Sequence, residues 1–440
     1  MGRGRHLYAT KPRRTKRVVG LVLIVAVVGI GIAAVVRLEP SWLGLGAAPT
    51  PTAAPTTGAP GCPTARLAGT TGLGAVAWVR DGALRLEDLD TCEERVVVQE
   101  GASPPVRFSH DGRWIGFGEG SIVSADGGQT QSPLGEVSTW QWSPRTDVLA
   151  GVTPGGGLVL GGPTAARRVL LPDGTGAGHV AFGPDGRSLA VDVGGDRVEV
   201  LDVADGATST VYRVTPGTDA PPTVVGWSPD GRWVLFFSSF PGKAGVPLNA
   251  APTVGGAWAN VFDPVLPYAD FLTWCGKDLV LSGGADRSVS EGNQLLGSAP
   301  PRWRFVNLSG DFTRSWIWPA CSPNGRWVVA AAMPNRRERP AGHGARSLWL
   351  LSADGARRAR LTDATDTAYE APRWSVDGRF VLVVRRGVEA SAPGALVLLR
   401  IEPDPGRARR VPGVVARLGP VPGERGHLDW SAVSDWYRPG

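Results

Sequence analysis

Four aspartates recur along this 440-residue sequence, each directly before a glycine and an arginine. They are Asp111, Asp185, Asp230 and Asp377, and an asparagine, Asn324, takes the same place in a fifth copy. Carboxylates could act as general acids or bases, and the serine that precedes most of them by two residues could act as a nucleophile. A side chain repeated once in every unit, however, is expected to do the same structural work in every unit. We therefore predict that these residues hold turns, and we predict no catalytic residue.

Each aspartate or asparagine belongs to a short sequence motif that contains the residues of a tight turn. The predicted turn residues are Ser109, Asp111, Gly112, Asp185, Gly186, Ser228, Asp230, Gly231, Ser322, Asn324, Gly325, Ser375, Asp377 and Gly378. Degenerate copies lie at Ser143 and Cys275. The serine hydroxyl can cap the local backbone, and the glycine tolerates a positive φ at the turn exit. The motif therefore predicts a hairpin between two strands.

Apolar segments flank these turns. Residues 233–237 are apolar on both faces, which is typical of a strand that is covered on both sides. Residues 347–352 run into Asp354-Gly355, a hairpin signal, and the chain returns as a further strand. One unit therefore has four strands, and the units recur every roughly 35 to 55 residues, a period typical of a β-propeller.

The sequence resembles the TolB-type, WD40-like β-propeller repeat of bacterial proteins over residues 72–437. In that family a tryptophan-serine-proline-aspartate-glycine turn precedes an apolar strand, and a later strand ends in aspartate-glycine before a leucine-threonine close. Residues 227–237 and 347–362 match this pattern. The resemblance implies an all-β propeller of four-stranded blades. It implies no particular activity, because such propellers serve as scaffolds, binding modules and enzyme subdomains.

The number of blades depends on how the two ends of the chain pair. Seven turn-initiated units have their turn positions at 109, 143, 183, 228, 275, 322 and 375. Residues 75–98 predict three strands that lack an opening turn. Residues 427–431 predict an opening strand that lacks the further strands of its unit. Pairing a strand at 428–430 with the strand at Ala75 would close the ring and hide its edges. This predicts eight blades, and seven is the alternative if the degenerate copies belong to distorted or shared blades.

The N-terminus predicts a membrane anchor. Residues 18–36 are uncharged and almost entirely apolar, long enough to cross a bilayer, and seven basic residues precede them. By the positive-inside rule that end stays cytoplasmic and the rest is exported, and a cleaved signal peptide is the alternative. The predicted order is a basic cytoplasmic tail at 1–17, a transmembrane helix at 18–37, a Pro/Thr-rich linker at 38–70 and the propeller at 71–440. The protein would thus be a single-pass protein of the cell membrane with an extracytoplasmic propeller.

Charge outside the N-terminal segment gives no support for a nucleic-acid partner. The chain has 46 basic and 40 acidic residues, but the first 37 residues hold eight of the basic ones and no acidic one. The remainder is therefore close to neutral, with 38 basic and 40 acidic residues. Nucleic-acid-binding domains carry a basic excess that this part lacks.

The four cysteines are expected to form disulfides, because disulfides are common in exported domains. They are Cys62, Cys92, Cys275 and Cys321, and no CxxC spacing points to zinc or redox chemistry. Four cysteines allow three sets of pairs. We predict Cys62 with Cys92, which would fix the linker to the first blade, and Cys275 with Cys321, which would join opening strands of adjacent blades. No metal or cofactor is predicted.

Other residues do not form a recognisable catalytic motif. The five histidines include no HExxH pattern, and the sequence has no GxSxG elbow. His110 occupies a turn position and is expected to face solvent. Segments 241–271 and 334–346 interrupt the repeat, and such insertions lie at the faces of a propeller, where partners bind.

These observations predict a binding or scaffold module for a protein, a peptide or a cell-envelope glycan, rather than an enzyme. The alternative is a lyase or hydrolase that uses the central channel of the propeller. A cluster of histidine, arginine and aspartate at the channel mouth would favour the enzyme, whereas an aromatic or charged patch on one face would favour binding.

Overall fold

The computed structural model describes residues 72–216, 220–238, 246–265, 269–284, 294–310, 312–334, 344–389, 391–402, 406–421, 423–424 and 427–439. All of these residues lie in the larger of two compact units of the chain, Pro55–Gly440. The predicted tail, transmembrane helix and linker lie outside the described residues. Within the described ranges, no helix has the length and apolar character that crossing a membrane requires.

Short strands make up nearly all the regular structure, and the described residues also include a 3-10 helix, Ala269–Phe271. The first strands are β1 (Ala75–Arg80), β2 (Ala83–Asp88), β3 (Glu93–Val98), β4 (Val106–Phe108), β5 (Trp114–Phe117), β6 (Ser121–Ser124), β7 (Thr139–Trp142), β8 (Leu149–Val152), β9 (Leu158–Gly161), β10 (Arg168–Leu171), β11 (Ala177–Phe182), β12 (Ser188–Val193), β13 (Arg197–Asp202), β14 (Thr208–Arg213), β15 (Pro222–Trp227), β16 (Trp233–Ser238), β17 (Val246–Pro252) and β18 (Ala259–Val265). The later strands are β19 (Leu272–Cys275), β20 (Asp278–Gly283), β21 (Gln294–Ala299), β22 (Arg304–Asn307), β23 (Arg314–Cys321), β24 (Trp327–Pro334), β25 (Ser347–Ser352), β26 (Arg358–Arg360), β27 (Thr367–Trp374), β28 (Phe380–Gly387), β29 (Gly394–Glu402), β30 (Arg407–Arg410), β31 (Ala416–Leu418), β32 (Gly423–Glu424), β33 (His427–Leu428) and β34 (Ser434–Tyr437).

The strands form antiparallel sheets from neighbours in the chain. Strands β7–β10, β11–β14 and β23–β26 form four-stranded sheets, and β4–β6 form a three-stranded one. Strands β15–β18 and β19–β22 share one sheet, although a single residue pair, Val265 with Gly283, joins the two groups. Strands β27–β30 form another sheet, to which β31 adds on β29. The four-stranded unit predicted from the repeat is therefore present several times.

The hydrophobic core lies between successive sheets. Val198 of β13 and Phe236 of β16 belong to one cluster, and Leu295 of β21 and Val328 of β24 belong to another. Because the central strands are apolar on both faces, each sheet packs against a neighbour on either side. Full burial of one such side chain contributes about 1.5–3 kcal/mol, so the contact between sheets is the main source of stability.

The C-terminal strand completes the sheet that β1 begins. Strand β34 lies antiparallel to β1, from Ala75 opposite Tyr437 to Trp78 opposite Ser434. The prediction that the two chain ends pair is confirmed, but the predicted opening strand at 428–430 is wrong. Strand β33 pairs with β32 instead, and the Asp429 carboxylate then accepts the N–H of Ala432, which turns the chain before β34 begins.

Segment 241–271 belongs largely to the repeat, which corrects the prediction that it is an insertion. It contains β17 and β18, the third and fourth strands of their unit, and both carry buried apolar side chains, including Leu248 and Val261. Its proline and glycine content, typical of loops, obscured these strands in the sequence. Residues 241–245 and 266–268, together with 335–343 of the second predicted insertion, lie outside the described residues.

Trp436→Ala is expected to lower the free energy of unfolding by about 3–5 kcal/mol, as for other buried tryptophans. The Trp436 side chain is 3 % exposed, and its indole N–H donates to the Leu73 carbonyl at 2.7 Å. Chemical denaturation measures the loss. Trp258→Ala is the control, because Trp258 is 44 % exposed and its removal should cost much less. Equal losses in the two variants would show that Trp436 contributes nothing special to closure.

Glu87→Gln should change the pH dependence of stability. Burial raises the pKa of Glu87 to about 8, and the charge of Glu94 acts in the same direction. Folded protein therefore keeps a proton that unfolded protein loses, so stability falls as pH rises from about 4.5 to 8, by up to about 1.4 kcal/mol per pH unit. In urea titrations the variant should nearly match the wild type at about pH 5 and exceed it by about 2–4 kcal/mol at about pH 8.5. Glu93→Gln, at an exposed position of β3, is the control; a difference that does not vary with pH would refute the prediction.

Candidate functional site

The repeated turn residues lie in hairpin turns. In one copy the Ser228 hydroxyl donates to Asp230 Oδ1 at 2.5 Å and accepts the N–H of Trp233 at 3.0 Å, while Asp230 Oδ1 accepts the N–H of Arg232 at 3.1 Å. The same serine-to-acceptor bond joins Ser109 to Asp111, Ser322 to Asn324 and Ser375 to Asp377, and Asp185 accepts the N–H of Arg187. The turn glycines have φ values of 68–73°, and they are Gly112, Gly186, Gly231, Gly325 and Gly378. The Ser228 hydroxyl also lowers the pKa of Asp230, as expected for a carboxylate that serves as an acceptor.

Three tryptophans that lie directly before a turn connect their sheets to the preceding ones. The indole N–H of Trp142 donates to the Arg107 carbonyl at 3.2 Å, that of Trp227 to Ala181 at 3.0 Å, and that of Trp374 to Ala320 at 3.0 Å. The three acceptors occupy the same place in the repeat, two residues before the turn serine or its equivalent. These bonds hold the first strands of successive sheets against each other.

A cavity of about 400 Å³ lies where first strands of several sheets meet. Its wall includes residues from the place two before the turn, namely Arg107, Thr273, Ala320 and Arg373. The other charged residues of its described lining are Asp270, Asp435 and Arg438. Three guanidinium groups and two carboxylates therefore converge here with a net charge of +1, in a volume typical of a small-ligand site.

The backbone carbonyl of Ser431 holds two of the arginines together. It accepts the Nη1–H of Arg107 at 2.7 Å and the Nη2–H of Arg373 at 3.0 Å. Arg438 donates from Nη1 to the Trp374 carbonyl at 2.5 Å. A guanidinium has five N–H donors, so each of these arginines keeps donors beyond those bonds.

The two carboxylates serve as acceptors for groups of the protein. Asp435 Oδ2 accepts the N–H of Phe108 at 2.9 Å, and Oδ1 lies 3.4 Å from Nη1 of Arg373. Asp270 Oδ2 accepts the Ser431 hydroxyl hydrogen at 2.5 Å. These contacts fix both side chains in the wall and leave the arginines as the groups best placed to meet a ligand.

Burial of the arginines concentrates positive charge at the cavity. Burial lowers the pKa of Arg373, the attraction of Asp435 opposes that change, and the like charges of Arg107 and Arg438 reinforce it. Desolvation of its guanidinium group also lowers the pKa of Arg438, although that residue as a whole is exposed. Since a guanidinium stays protonated at neutral pH, the repulsion is present in the folded protein, and an anion in the cavity would relieve it.

Two residues of the cavity wall have strained backbones. Trp318 and Ala371 have φ values of 57° and 47°, in the left-handed region that favours glycine. Each lies at a bulge in the first strand of its sheet, directly before a proline, Pro319 or Pro372. Such conformations cost about 1–3 kcal/mol and concentrate at functional sites. Two neighbouring sheets thus present the same distortion to one cavity.

The predicted Cys275–Cys321 disulfide is present, with the Cα atoms 5.2 Å apart. It joins the first strands β19 and β23, and Cys321 also lines the cavity, so the bond fixes part of the wall. Cys92 is disulfide-bonded as well. Its predicted partner, Cys62, lies outside the described residues, so that pairing stays a prediction.

A second group of charged residues lies at the turn after β4. His110, Asp111 and Asp147 bring their potential ligand atoms within 4.8 Å of one another. His110 is exposed and its Nδ1 lies 3.1 Å from Asp147, while Arg113 contacts both carboxylates. Because Arg113 pairs with both aspartates, the arrangement is an ion-pair network of the turn.

The charged residues of the cavity were not predicted from the sequence. A signal for Arg107 and Arg373 exists, because the place two before the turn holds uncharged residues in the other copies: Gln141, Ala181, Gly226, Thr273 and Ala320. The repeated motif does not include Asp270, Asp435 or Arg438, so the repeat carries no signal for them.

Comparison with known proteins identifies the fold. No protein-family model and no curated protein matches the sequence. Among solved structures, the dihydro-heme d1 dehydrogenase NirN matches 78 % of this chain and 74 % of its own at 16 % identity, with a TM-score of 0.53. A eukaryotic initiation factor matches 78 % of this chain and 87 % of its own at 14 % identity, with a TM-score of 0.51. TolB from Acinetobacter baumannii matches 70 % of this chain and 68 % of its own at 18 % identity, with a TM-score of 0.35. The described chain is thus an all-β protein with a β-propeller fold, and identities this low show nothing about its activity.

Asp435→Asn should lower the free energy of unfolding by about 1–3 kcal/mol, the usual effect of weakening a charged hydrogen-bond acceptor. The substitution removes the charge that faces Arg373 and weakens the bond from the Phe108 N–H. Urea denaturation measures the change. Asp126→Asn, at a side chain that is 95 % exposed, is the control and should shift stability by less than about 0.5 kcal/mol. An unaltered unfolding curve for Asp435→Asn would contradict its role in the cavity wall.

Proposed function

We propose that this protein is a membrane-anchored, extracytoplasmic β-propeller that binds a protein, peptide or cell-envelope glycan through the cavity at Arg107, Arg373 and Arg438. The cavity is the observation that carries the proposal. It has the volume of a ligand site, it lies where the first strands of several sheets meet, and its arginines keep N–H donors beyond those used by the protein.

Eight blades are the proposed composition of the ring. The groups of strands would be β34 with β1–β3, then β4–β6, β7–β10, β11–β14, β15–β18, β19–β22, β23–β26 and β27–β31. In support, each core cluster of the described residues joins two successive groups, and the cluster that contains Trp78 and Leu398 joins the last group to the first. With every face covered in this way, the array needs no further blade.

The proposed anchor is a transmembrane helix at 18–37, whose residues 18–36 are almost entirely apolar, with the basic tail on its cytoplasmic side. The Cys275–Cys321 disulfide supports export, because disulfides persist in oxidising compartments outside the cytoplasm. The linker at 38–70 would then hold the propeller away from the membrane surface.

Binding is favoured over catalysis by the state of the two aspartates. The cavity brings together arginine and aspartate, two of the three residue types that the alternative of a channel enzyme requires, and its described lining includes no histidine. A general base, however, needs a carboxylate oxygen directed at the reactant. Asp435 accepts the Phe108 N–H on Oδ2 and contacts Arg373 with Oδ1, and Asp270 Oδ2 accepts the Ser431 hydroxyl hydrogen, so three of the four carboxylate oxygens contact the protein itself.

A photo-reactive amino acid at Thr273, in the cavity wall, should form an adduct with the ligand in membranes of cells that express the full chain. The same group at Val254, which is 90 % exposed, is the control for random contact. Mass spectrometry of the adducts compares the two positions. Products found at Thr273 alone support a binding module at the cavity. If the folded Thr273 variant forms no adduct beyond those that the Val254 variant also forms, the proposal fails.

A further inference from the structure

We propose that Arg107 and Arg373 bind a carboxylate group of a peptide ligand in the cavity. This inference rests on the proposed binding function and adds the chemistry of the ligand. Because both arginines donate to the Ser431 carbonyl, at 2.7 and 3.0 Å, their guanidinium groups are held close together before a ligand arrives. Planar guanidinium groups match the two oxygens of a carboxylate, and their fixed positions reduce the entropy lost on binding.

The donors that remain on these arginines are suited to such a ligand. Arg107 donates from Nη1 alone, to Val106 and Ser431, and no acceptor for its Nε or Nη2 lies among the described residues. Arg373 directs Nη1 at Asp435 and Nη2 at Ser431, and within the described part of the chain its Nε has no acceptor. A carboxylate can therefore bind without breaking the bonds that hold the two side chains.

The charge of the cavity favours a single negative charge. Its described lining combines Arg107, Arg373 and Arg438 with Asp270 and Asp435, a net charge of +1. One carboxylate neutralises this charge. A phosphate dianion would reverse it and would face repulsion from the two aspartates.

The wall favours a peptide over a sugar. The bulges at Trp318 and Ala371 interrupt the strand pairing and leave these residues outside the ladder, and a peptide carries backbone groups that can pair with such positions. A sugar ring typically packs on an open aromatic face, but Trp318 and Trp374 are only 6 % and 2 % exposed. The cavity therefore offers hydrogen-bonding groups and no open indole platform.

Calorimetry with the full chain in detergent tests the ligand chemistry. N-acetyl-dialanine carries a free terminal carboxylate, its amide carries none, and N-acetyl-aspartyl-alanine amide carries only a side-chain carboxylate. We expect one or both acids to bind and the neutral amide to bind at least about tenfold more weakly, and the stronger acid identifies the source of the carboxylate. Glucuronate or inorganic phosphate binding as tightly as the acids would overturn the proposal, as would failure of both acids to bind at about 10 mM.

Substitutions test the two arginines. Arg107→Gln and Arg373→Gln should each weaken binding of the acid at least about tenfold, and Arg107→Lys, which keeps the charge but loses the planar fork, should fall between. Arg232→Gln is the control, because Arg232 is a turn arginine whose side chain is 81 % exposed. Melting curves establish whether each variant is folded. If Arg373→Gln does not fold, the comparison of Arg107→Gln with Arg107→Lys is sufficient for the test. If the folded glutamine variants bind the acid with wild-type affinity, Arg107 and Arg373 do not bind the carboxylate and the proposal is refuted. If these variants still form adducts at Thr273, the proposed binding function remains supported.

Discussion

The pairing of the last strand with the first is the contact on which both the fold and the candidate site depend. Strand β34 completes the sheet of β1, and the segment around it provides the Ser431 carbonyl, Asp435 and Arg438 to the cavity. Sheets that are apolar on both faces cannot leave one face uncovered without exposing a large hydrophobic surface. Closure therefore follows from the composition of the strands, and the cavity is assembled by the same event.

The repeat separates structural positions from variable ones. The serine, the aspartate or asparagine and the glycine make the same hydrogen bonds in four turn copies, and in two of these a tryptophan directly before the serine binds the preceding sheet. With the backbone fixed in this way, the residue two places before the turn can vary freely. Arginine at two of these places, Arg107 and Arg373, makes one side of the ring chemically different from the rest.

The sequence predicted what is local and missed what depends on distant segments. The hairpin turns, the four-stranded unit and the Cys275–Cys321 bond could all be inferred, because each is encoded by a short pattern or by matching places in neighbouring units. The closing strand was predicted several residues too early in the chain. The pattern at 428–430 resembles an opening strand, and only the turn at Asp429 excludes it. The cavity could not be found, because residues 107, 320 and 373 hold the same place in the repeat but only the fold shows that these places converge, and Asp270 and Asp435 lie outside the repeat.

The electrostatics of the cavity link ligand binding to the stability of the ring. Arg107 belongs to β4 and Arg373 to β27, and both donate to Ser431, which lies in the segment that leads into β34. In the absence of an anion, their mutual repulsion acts against this arrangement. A carboxylate that contacted both groups would bind only where they are held together, in the closed ring, so by mass action it would favour closure. The segment that completes the fold is thus also the segment whose stability a ligand would most increase.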